Sequence, residues 1–293
     1  MQHYLTKLRA RGDLIVIERE VDPKFEAAAI ARHMQKSSNK AILFERVRGH
    51  TMPVVMNLCS DHHRLQEIIR CGERTFCERL DEEIRLAETL EAWQEEDTTL
   101  PDLCTGKLGD LPILTYHERD GGRYITSGIF LAKDPETGVP NLSFHRSMYV
   151  SDNELRIRLG SSHDLARYQR AAEAQNKPLE AAILISAAPE IFMAACVSLP
   201  PQANELALAA AMRGGPIRMR PCKTVSLSVP ASTDIVIEGH ILPNVRRPEG
   251  PFGEFMGYYV EVGDNHVFEV KHVSWRKDAS FHGLVCGSDE DLR

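Results

Sequence analysis

Residues able to do chemistry are densest in Arg246-Arg-Pro-Glu-Gly-Pro-Phe-Gly-Glu-Phe-Met-Gly-Tyr-Tyr259, where three glycines and two prolines surround two carboxylates. Glu249 and Glu254 are five residues apart. That spacing puts them on opposite faces of a regular strand and about 140° apart on a helix. Neither element makes them converge, whereas a Gly-Pro-Phe-Gly turn can; left unconverged, they are ordinary acids of a solvent-exposed turn.

Asn141-Leu-Ser-Phe-His-Arg146 alternates as a strand does, with Asn141, Ser143 and His145 on one face and Leu142, Phe144 and Arg146 on the other. An arginine on an apolar face needs an anion. Glu249 or a substrate carboxylate would serve, or Arg146 ends the strand and reaches water along its own stem. Arg156-Ile-Arg-Leu-Gly-Ser-Ser-His163 runs from a strand into a Gly-Ser-Ser turn at a helix start. Free N–H groups there accept phosphate, with Arg158 and His163 adding donors or positive charge; Ser161 or Ser162 serves equally as a plain cap. Glu205, in the first turn of an Ala-rich helix, complements the helix dipole. His62, His63 and His117 lack partners at ligand spacing and read as surface or satisfied core residues. Neither G-x-G-x-x-G after a strand nor G-x-x-x-x-G-K-[ST] occurs, so the standard nucleotide folds fail.

These groups are carried by 293 residues, a length that suggests about two domains. With 43% hydrophobic and 26% charged residues the chain is neither disordered nor fibrous. The 35 Lys and Arg against 42 Asp and Glu give a net charge of −7 with no dense basic run, which argues against nucleic acid. The N-terminus is charged and amphipathic, and no stretch approaches the ~18 apolar residues of a spanning helix. A cytoplasmic location without an integral membrane segment is the expectation. Cysteines 59, 71, 77, 104, 196, 222 and 286 form an odd set without a C-x-x-C pair, which reads as reduced structural thiols.

The elements that must position these groups fall into two parts. Helix is expected over 4–11, from Asp22-Pro23 and over 61–93, with strands at 14–17, 41–44 and 53–56. A polar stretch ending in Pro101 suggests a boundary near 95–110. Beyond it strands are expected at 123–130, 141–150, 155–159, 181–185, 223–229, 235–242 and 266–275, with helices at 164–176 and 204–213. The sequence reading places no helix after the strand ending at Cys286. The fold class is α+β with a barrel or sandwich core.

Asn141 to Arg146, His163, Glu205 and Glu249-Gly-Pro-Phe-Gly-Glu254 occur in the order and spacing of the UbiD family, which the chain resembles over essentially its whole length. The resemblance implies a non-oxidative decarboxylase, reversible in principle, of an aromatic, heteroaromatic or α,β-unsaturated acid. Its cofactor would be prenylated FMN, made by a partner flavin prenyltransferase. The implied architecture is an N-terminal α/β domain, residues 1–105, followed by a split β-barrel flavin-binding domain, residues 106–293. By the same resemblance Arg146, Glu249 and Glu254 form a catalytic Glu-Arg-Glu network, with Glu254 the proton donor. Asn141, His163 and Glu205 would bind a divalent ion, usually manganese, that bridges to the cofactor phosphate. Ser143, Phe144, His145, Arg146, Arg158, Leu159, Gly160, Ser162, His163 and Glu205 would line the cofactor, and backbone carbonyls near 194–197 would hold potassium.

The residue types suit that chemistry. Losing CO₂ leaves an electron pair on an sp² carbon, which needs an electron sink no amino acid supplies. Proton delivery by Glu254 near neutral pH requires burial to favour its protonated form, and an oxygen-rich site suits a hard cation. Family members continue into a further domain carrying a phosphate-binding Lys, part of the substrate pocket and most of a homo-oligomer interface, which these residues do not include. Two rivals follow: a non-catalytic cofactor- or metal-binding module that needs a second polypeptide, and a metal hydrolase with Glu254 as base.

Overall fold

The computed structural model describes residues 1–95, 103–200 and 203–292. The N-terminal part is built on a four-stranded sheet in the spatial order Leu14–Val21, Ala41–Val47, Val54–Met56 and Phe281–His282. The first pair is parallel, the second antiparallel and the third parallel. The run Ala41-Ile-Leu-Phe44 is wholly buried, as a strand covered on both faces should be.

Local chemistry moves several boundaries. The helix expected from Asp22-Pro23 starts at Glu26, because Phe25 takes φ 70° and Lys24 bridges to Thr115. Ala27, Ala28 and Ala31 are buried, while Ala29 faces solvent. The long charged helix is two helices, His62–Ile68 and Phe76–Ala87, separated where Arg70 and Gly72 take positive φ. Thr75 and Glu78 open the second with a capping box. Trp93–Glu95 is a strand beside Ile217–Pro221, and the polar stretch 96–102 lies outside the described residues.

The larger sheet has nine strands among the described residues. Its spatial order is Tyr124–Ile125, Ser147–Ser151, Glu154–Ile157, Gly263–Arg276, Ile235–Glu249, Leu179–Ile185, Ile129–Lys133 and Pro140–Phe144, with Leu103–Gly106 added to Gly263–Arg276. Pro140–Phe144 is last in this order and Ser147–Ser151 second, yet only His145 and Arg146 connect them. Three peptide units reach about 11 Å at most, whereas six strand spacings of a flat sheet span about 29 Å. The sheet therefore curls on itself as a half-barrel, and Arg146 sits at the gap.

Curling also explains why the expected 141–150 strand is two strands broken at His145-Arg146, and why 123–130 breaks at Thr126–Gly128. The strand expected at 223–229 shrinks to Ser228–Pro230, because the backbone N–H groups of Lys223 and Thr224 turn aside to bind the buried Glu238 carboxylate, at 2.9 and 2.6 Å. Two strands run longer than expected: Ile235–Glu249 and Gly263–Arg276 pair as far as Glu249 opposite Gly263. Helices Pro189–Ala194 and Asp289–Leu292 correct the sequence reading, which has neither. Leu131, Leu142, Leu184 and Val236 on one sheet face pack with Leu208, Met212 and Ile191 in a single apolar cluster. No helix among the described residues is long and apolar enough to cross a membrane.

The far half of the Ile235–Glu249 strand is steered by Glu173. Its Oε1 accepts from Arg246 Nη1 at 2.8 Å, Gln169 Nε2 at 3.0 Å and the Asn244 backbone at 3.1 Å. Burial pushes this carboxyl up, but those hydrogen bonds outweigh it and bring the pKa down to about 2. A group depressed on folding contributes stability above its unfolded value of 4.5 and loses it as pH falls toward about 2. Denaturant unfolding should therefore show Glu173→Gln less stable than wild type at pH 7, with the gap narrowing by pH 3. A gap independent of pH would contradict the assignment.

Candidate active site

Arg146, released from the sheet by the half-barrel gap, is the hub of the site. Its Nε donates to Glu249 Oε1 at 3.1 Å and its Nη2 to Glu249 Oε2 at 2.9 Å, a bidentate clamp. Its Nη1 donates to Glu254 Oε1. The side chains are 8% exposed for Arg146, 0% for Glu249 and 26% for Glu254, so the inner acid is sealed and the outer one meets solvent. Glu249 also accepts from Tyr124 Oη at 2.8 Å and Asn265 Nδ2 at 2.9 Å. The guanidinium lies 4.9 Å from the Phe252 ring centroid, a cation–π contact that fixes its plane. Burial, with Glu249 beside it, pushes the Tyr124 hydroxyl well up, so it stays a donor.

The turn between the two acids depends on two glycines. Gly250 takes φ 106°, which side chains disfavour. Gly121 donates its N–H to Pro251 O at 2.7 Å, and a Cβ there would lie 2.2 Å from Gly250 O. Gly121→Ala should push the turn away from Arg146 at a stability cost of about 1–3 kcal/mol and remove the Glu254 contact. Thermal unfolding and turnover of the variant check this; wild-type values for both would contradict it.

The network opens on a cavity of about 350 Å³. Phe144, Phe192, Phe252 and Leu284 supply apolar walls, and Arg146, His145, Arg158, His163 and Glu254 supply polar edges. Flat apolar walls with a few convergent polar groups are what a planar ligand requires, and in these respects the residues present fit a flavin. Gly160 also lines the cavity, whereas Ser143, Leu159, Ser162 and Glu205 do not. Leu159 sends its side chain into the core, leaving only its backbone for a ligand, and Ser162 faces solvent. Neither Ser161 nor Ser162 caps the following helix; its cap residue is the exposed His163, which makes no side-chain cap bond.

Asn141 and Glu205 are brought together: Asn141 Nδ2 lies 3.2 Å from Glu205 Oε1, and Leu142 N–H donates to Glu205 Oε2 at 3.0 Å. Burial is the main force raising the Glu205 pKa to about 7, and the charge of Asp164, next to His163, adds to it. A buried carboxylate met only by neutral donors and repelled by a second acid is a place where a hard cation fits. Among the described residues no three His, Cys, Asp or Glu side chains converge as metal ligands. The expected set holds only two such residues, His163 and Glu205, beside the Asn141 amide.

Sequence reasoning missed several residues here. Tyr124 and Asn265 reach Glu249 from other strands, so nothing near the motif signals them, and Phe252, though inside the motif, gives no sign in sequence that its ring meets Arg146. Cys196 and Cys286, read as merely structural, line the cavity, and burial pushes the Cys286 thiol up. Glu290 and Asp291, from the unexpected last helix, line it too. Glu290 accepts the Asn57 and Cys59 N–H groups at 2.7 and 3.2 Å and lies 3.0 Å from His282 Nε2, tying the cavity to the N-terminal sheet.

Residues 88–289 match the Rift-related domain of 3-octaprenyl-4-hydroxybenzoate carboxy-lyase, UbiD, and residues 5–84 match its N-terminal domain. The chain belongs to the UbiD family. It is 32% identical over 285 residues to the anhydromevalonate phosphate decarboxylase of Methanothermobacter thermautotrophicus, covering 97% of this chain and 65% of that protein. With the enzyme of the same name from Methanosarcina mazei the identity is 33%, covering 99% and 66%. Its fold resembles the UbiD-class enzyme HmfF of Pelotomaculum thermopropionicum, solved in an evolved dimeric form with prFMN: TM-score 0.92, 32% identity, 99% of this chain and 68% of that one. The closed form of vanillic acid decarboxylase from Sedimentibacter hydroxybenzoicus gives TM-score 0.91 at 26% identity, covering 99% and 65%. The chain spans just under two thirds of the length of the curated relatives it matches.

Proposed function

We propose that this chain is the cofactor-binding portion of a prenylated-FMN-dependent, non-oxidative carboxy-lyase. The observation that carries the reading is Arg146 lining the cavity, clamped by the sealed Glu249 and touched by the partly exposed Glu254. In this reading residues 106–293 form the split-barrel flavin domain, residues 1–105 the N-terminal domain, and a flavin prenyltransferase supplies the cofactor. Bound prenylated FMN would supply the electron sink. Arg146, held in one plane by Glu249 and Phe252, orients the substrate carboxylate, and Glu254 delivers the proton that replaces CO₂. Asn141, Glu205 and His163 would hold a divalent cation such as Mn²⁺ for the cofactor phosphate, with Phe144, His145, Arg158 and Gly160 along the cavity. Potassium at the 194–197 backbone and a homo-oligomeric whole protein belong to the same proposal.

The substrate class is an α,β-unsaturated acid, aromatic or not. Phenylalanine walls suit a planar acid, while two relatives bear the name of an anhydromevalonate phosphate decarboxylase. The hydrolase alternative loses support because Glu254 is bound to Arg146 and not to the Asn141–Glu205 pair. To decide, protein co-expressed with a flavin prenyltransferase is incubated with a panel of aromatic and aliphatic unsaturated acids, and CO₂ release is followed. Turnover of one class supports the lyase; loaded protein that releases CO₂ from none supports the module.

A further inference from the structure

Glu254 stands at the tip of a ribbon too small to hold itself. Phe252–Gly253 pairs antiparallel with Tyr259–Val260, and between them Glu254 N–H donates to Tyr258 O at 2.9 Å and Gly257 N–H to Glu254 O at 3.0 Å. A two-stranded ribbon is marginal in water unless something packs on it. Phe255, Met256 and Tyr258 at the tip are exposed, so packing there does not fix the direction in which Glu254 leaves the ribbon.

The fixing contacts come from a loop far earlier in the chain. Asp120, its side chain fully buried, accepts Gly253 N–H on Oδ1 at 3.0 Å and His117 N–H on Oδ2 at 2.9 Å. Asp120 N–H returns to His117 O at 3.1 Å, which closes residues 117–120 into a turn. The His117 ring stands directly behind Gly253: a Cβ on that glycine would lie 2.6 Å from His117 Nδ1. Tyr259, opposite Gly253 in the ribbon, accepts Arg119 N–H on its Oη at 3.1 Å. With Gly121 N–H on Pro251 O, one loop seats both strands of the ribbon, and Glu254 is the next residue out.

We infer that Asp120 is a positioning residue for proton delivery: by holding Gly253 it sets the line along which the Glu254 carboxylate meets Arg146 and faces the cavity. This inference rests on Glu254 being the proton donor, as proposed above. Its chemistry needs a carboxylate at position 120, because two N–H donors converge there and each takes its own oxygen. It also gives the turn that carries His117 a place in the site, although neither residue of that turn touches Arg146.

The test compares wild type, Asp120→Ala, Asp120→Asn, Glu254→Gln and the double variant Asp120→Ala/Glu254→Gln, each loaded by co-expression with a flavin prenyltransferase. On the acid that wild type turns over, Asp120→Ala should lower kcat about 10- to 100-fold, the cost of misplacing a reacting group by about 1 Å, with KM little changed. The double variant should be no slower than Glu254→Gln alone, because a residue that acts through Glu254 then has nothing left to position. Asp120→Asn keeps the shape but offers one acceptor oxygen to two donors, so it should fall between wild type and Asp120→Ala, and it reports even where Asp120→Ala fails to fold. Hydrogen exchange of the peptide spanning Gly253 needs no substrate: Asp120→Ala should exchange faster there, with the Leu179–Ile185 strand as protected as in wild type. Wild-type kcat in both Asp120 variants, or a double variant much slower than Glu254→Gln, would overturn the positioning role, as would loss of protection throughout the core. A wild type that releases no CO₂, or a Glu254→Gln enzyme as fast as wild type, would overturn the proton-donor reading and Asp120's part in it, while the Gly253 exchange would still show whether Asp120 holds the turn.

Discussion

Glu254→Gln should lower the rate of decarboxylation by about 10²- to 10⁴-fold, the usual contribution of a positioned proton donor, while leaving the fold and the retained cofactor unchanged. The amide oxygen of glutamine can still accept from Arg146 Nη1, so the contact survives in geometry. What it lacks is a transferable proton. The side chain is 26% exposed, and a pair that meets solvent contributes little to stability, about 0–1 kcal/mol. Turnover and melting should therefore separate, with the first lost and the second kept. A Glu254→Gln enzyme with wild-type turnover would remove Glu254 from proton delivery.

Glu249→Ala is expected to behave in the opposite way and to lose stability first. Glu249 is sealed, and four donors converge on its two oxygens: Arg146 Nε and Nη2, Tyr124 Oη and Asn265 Nδ2. Removing one partner of a buried pair leaves the other charge uncompensated, at a cost of about 3–5 kcal/mol. At roughly 2–4 °C per kcal/mol for a chain of this size, the melting temperature should fall by about 6–20 °C. Turnover should fall too, because Arg146 would lose the clamp that sets its plane. Tyr124→Phe removes one donor and leaves the clamp, so its loss should be smaller. A Glu249→Ala protein that melts with the wild type would show that the buried acid does not hold the network.

Much of the site is visible in the sequence because it depends on short-range geometry. Alternation over Asn141 to Arg146 puts Asn141, Ser143 and His145 on one face, and their side chains do hydrogen-bond to one another. The Gly-Pro-Phe-Gly turn that lets two acids five residues apart converge is equally local. What alternation cannot show is that the strand stops at Phe144. The stop is imposed by a sheet whose two ends meet, a property of all its strands together. Likewise Pro248 and Gly250 mask a strand that runs to Glu249, which is held in register by Asp264 and Gly263 on a partner strand. Tyr124 and Asn265 are legible only once that register is known. The residues after Cys286 carry no helix signal, yet a short helix forms there and buries Glu290, whose carboxylate accepts the Asn57 and Cys59 N–H groups of a distant loop.

Cofactor retention tests the central claim most directly. Wild-type protein, Glu254→Gln and Asn141→Ala are each co-expressed with a flavin prenyltransferase, and their native intact masses and visible spectra are compared. Bound prenylated FMN is predicted in wild type and Glu254→Gln and should be lost in Asn141→Ala, which lacks one proposed anchor of the phosphate-bridging cation. Three colourless proteins of apo mass would contradict the reading of this cavity as a flavin site.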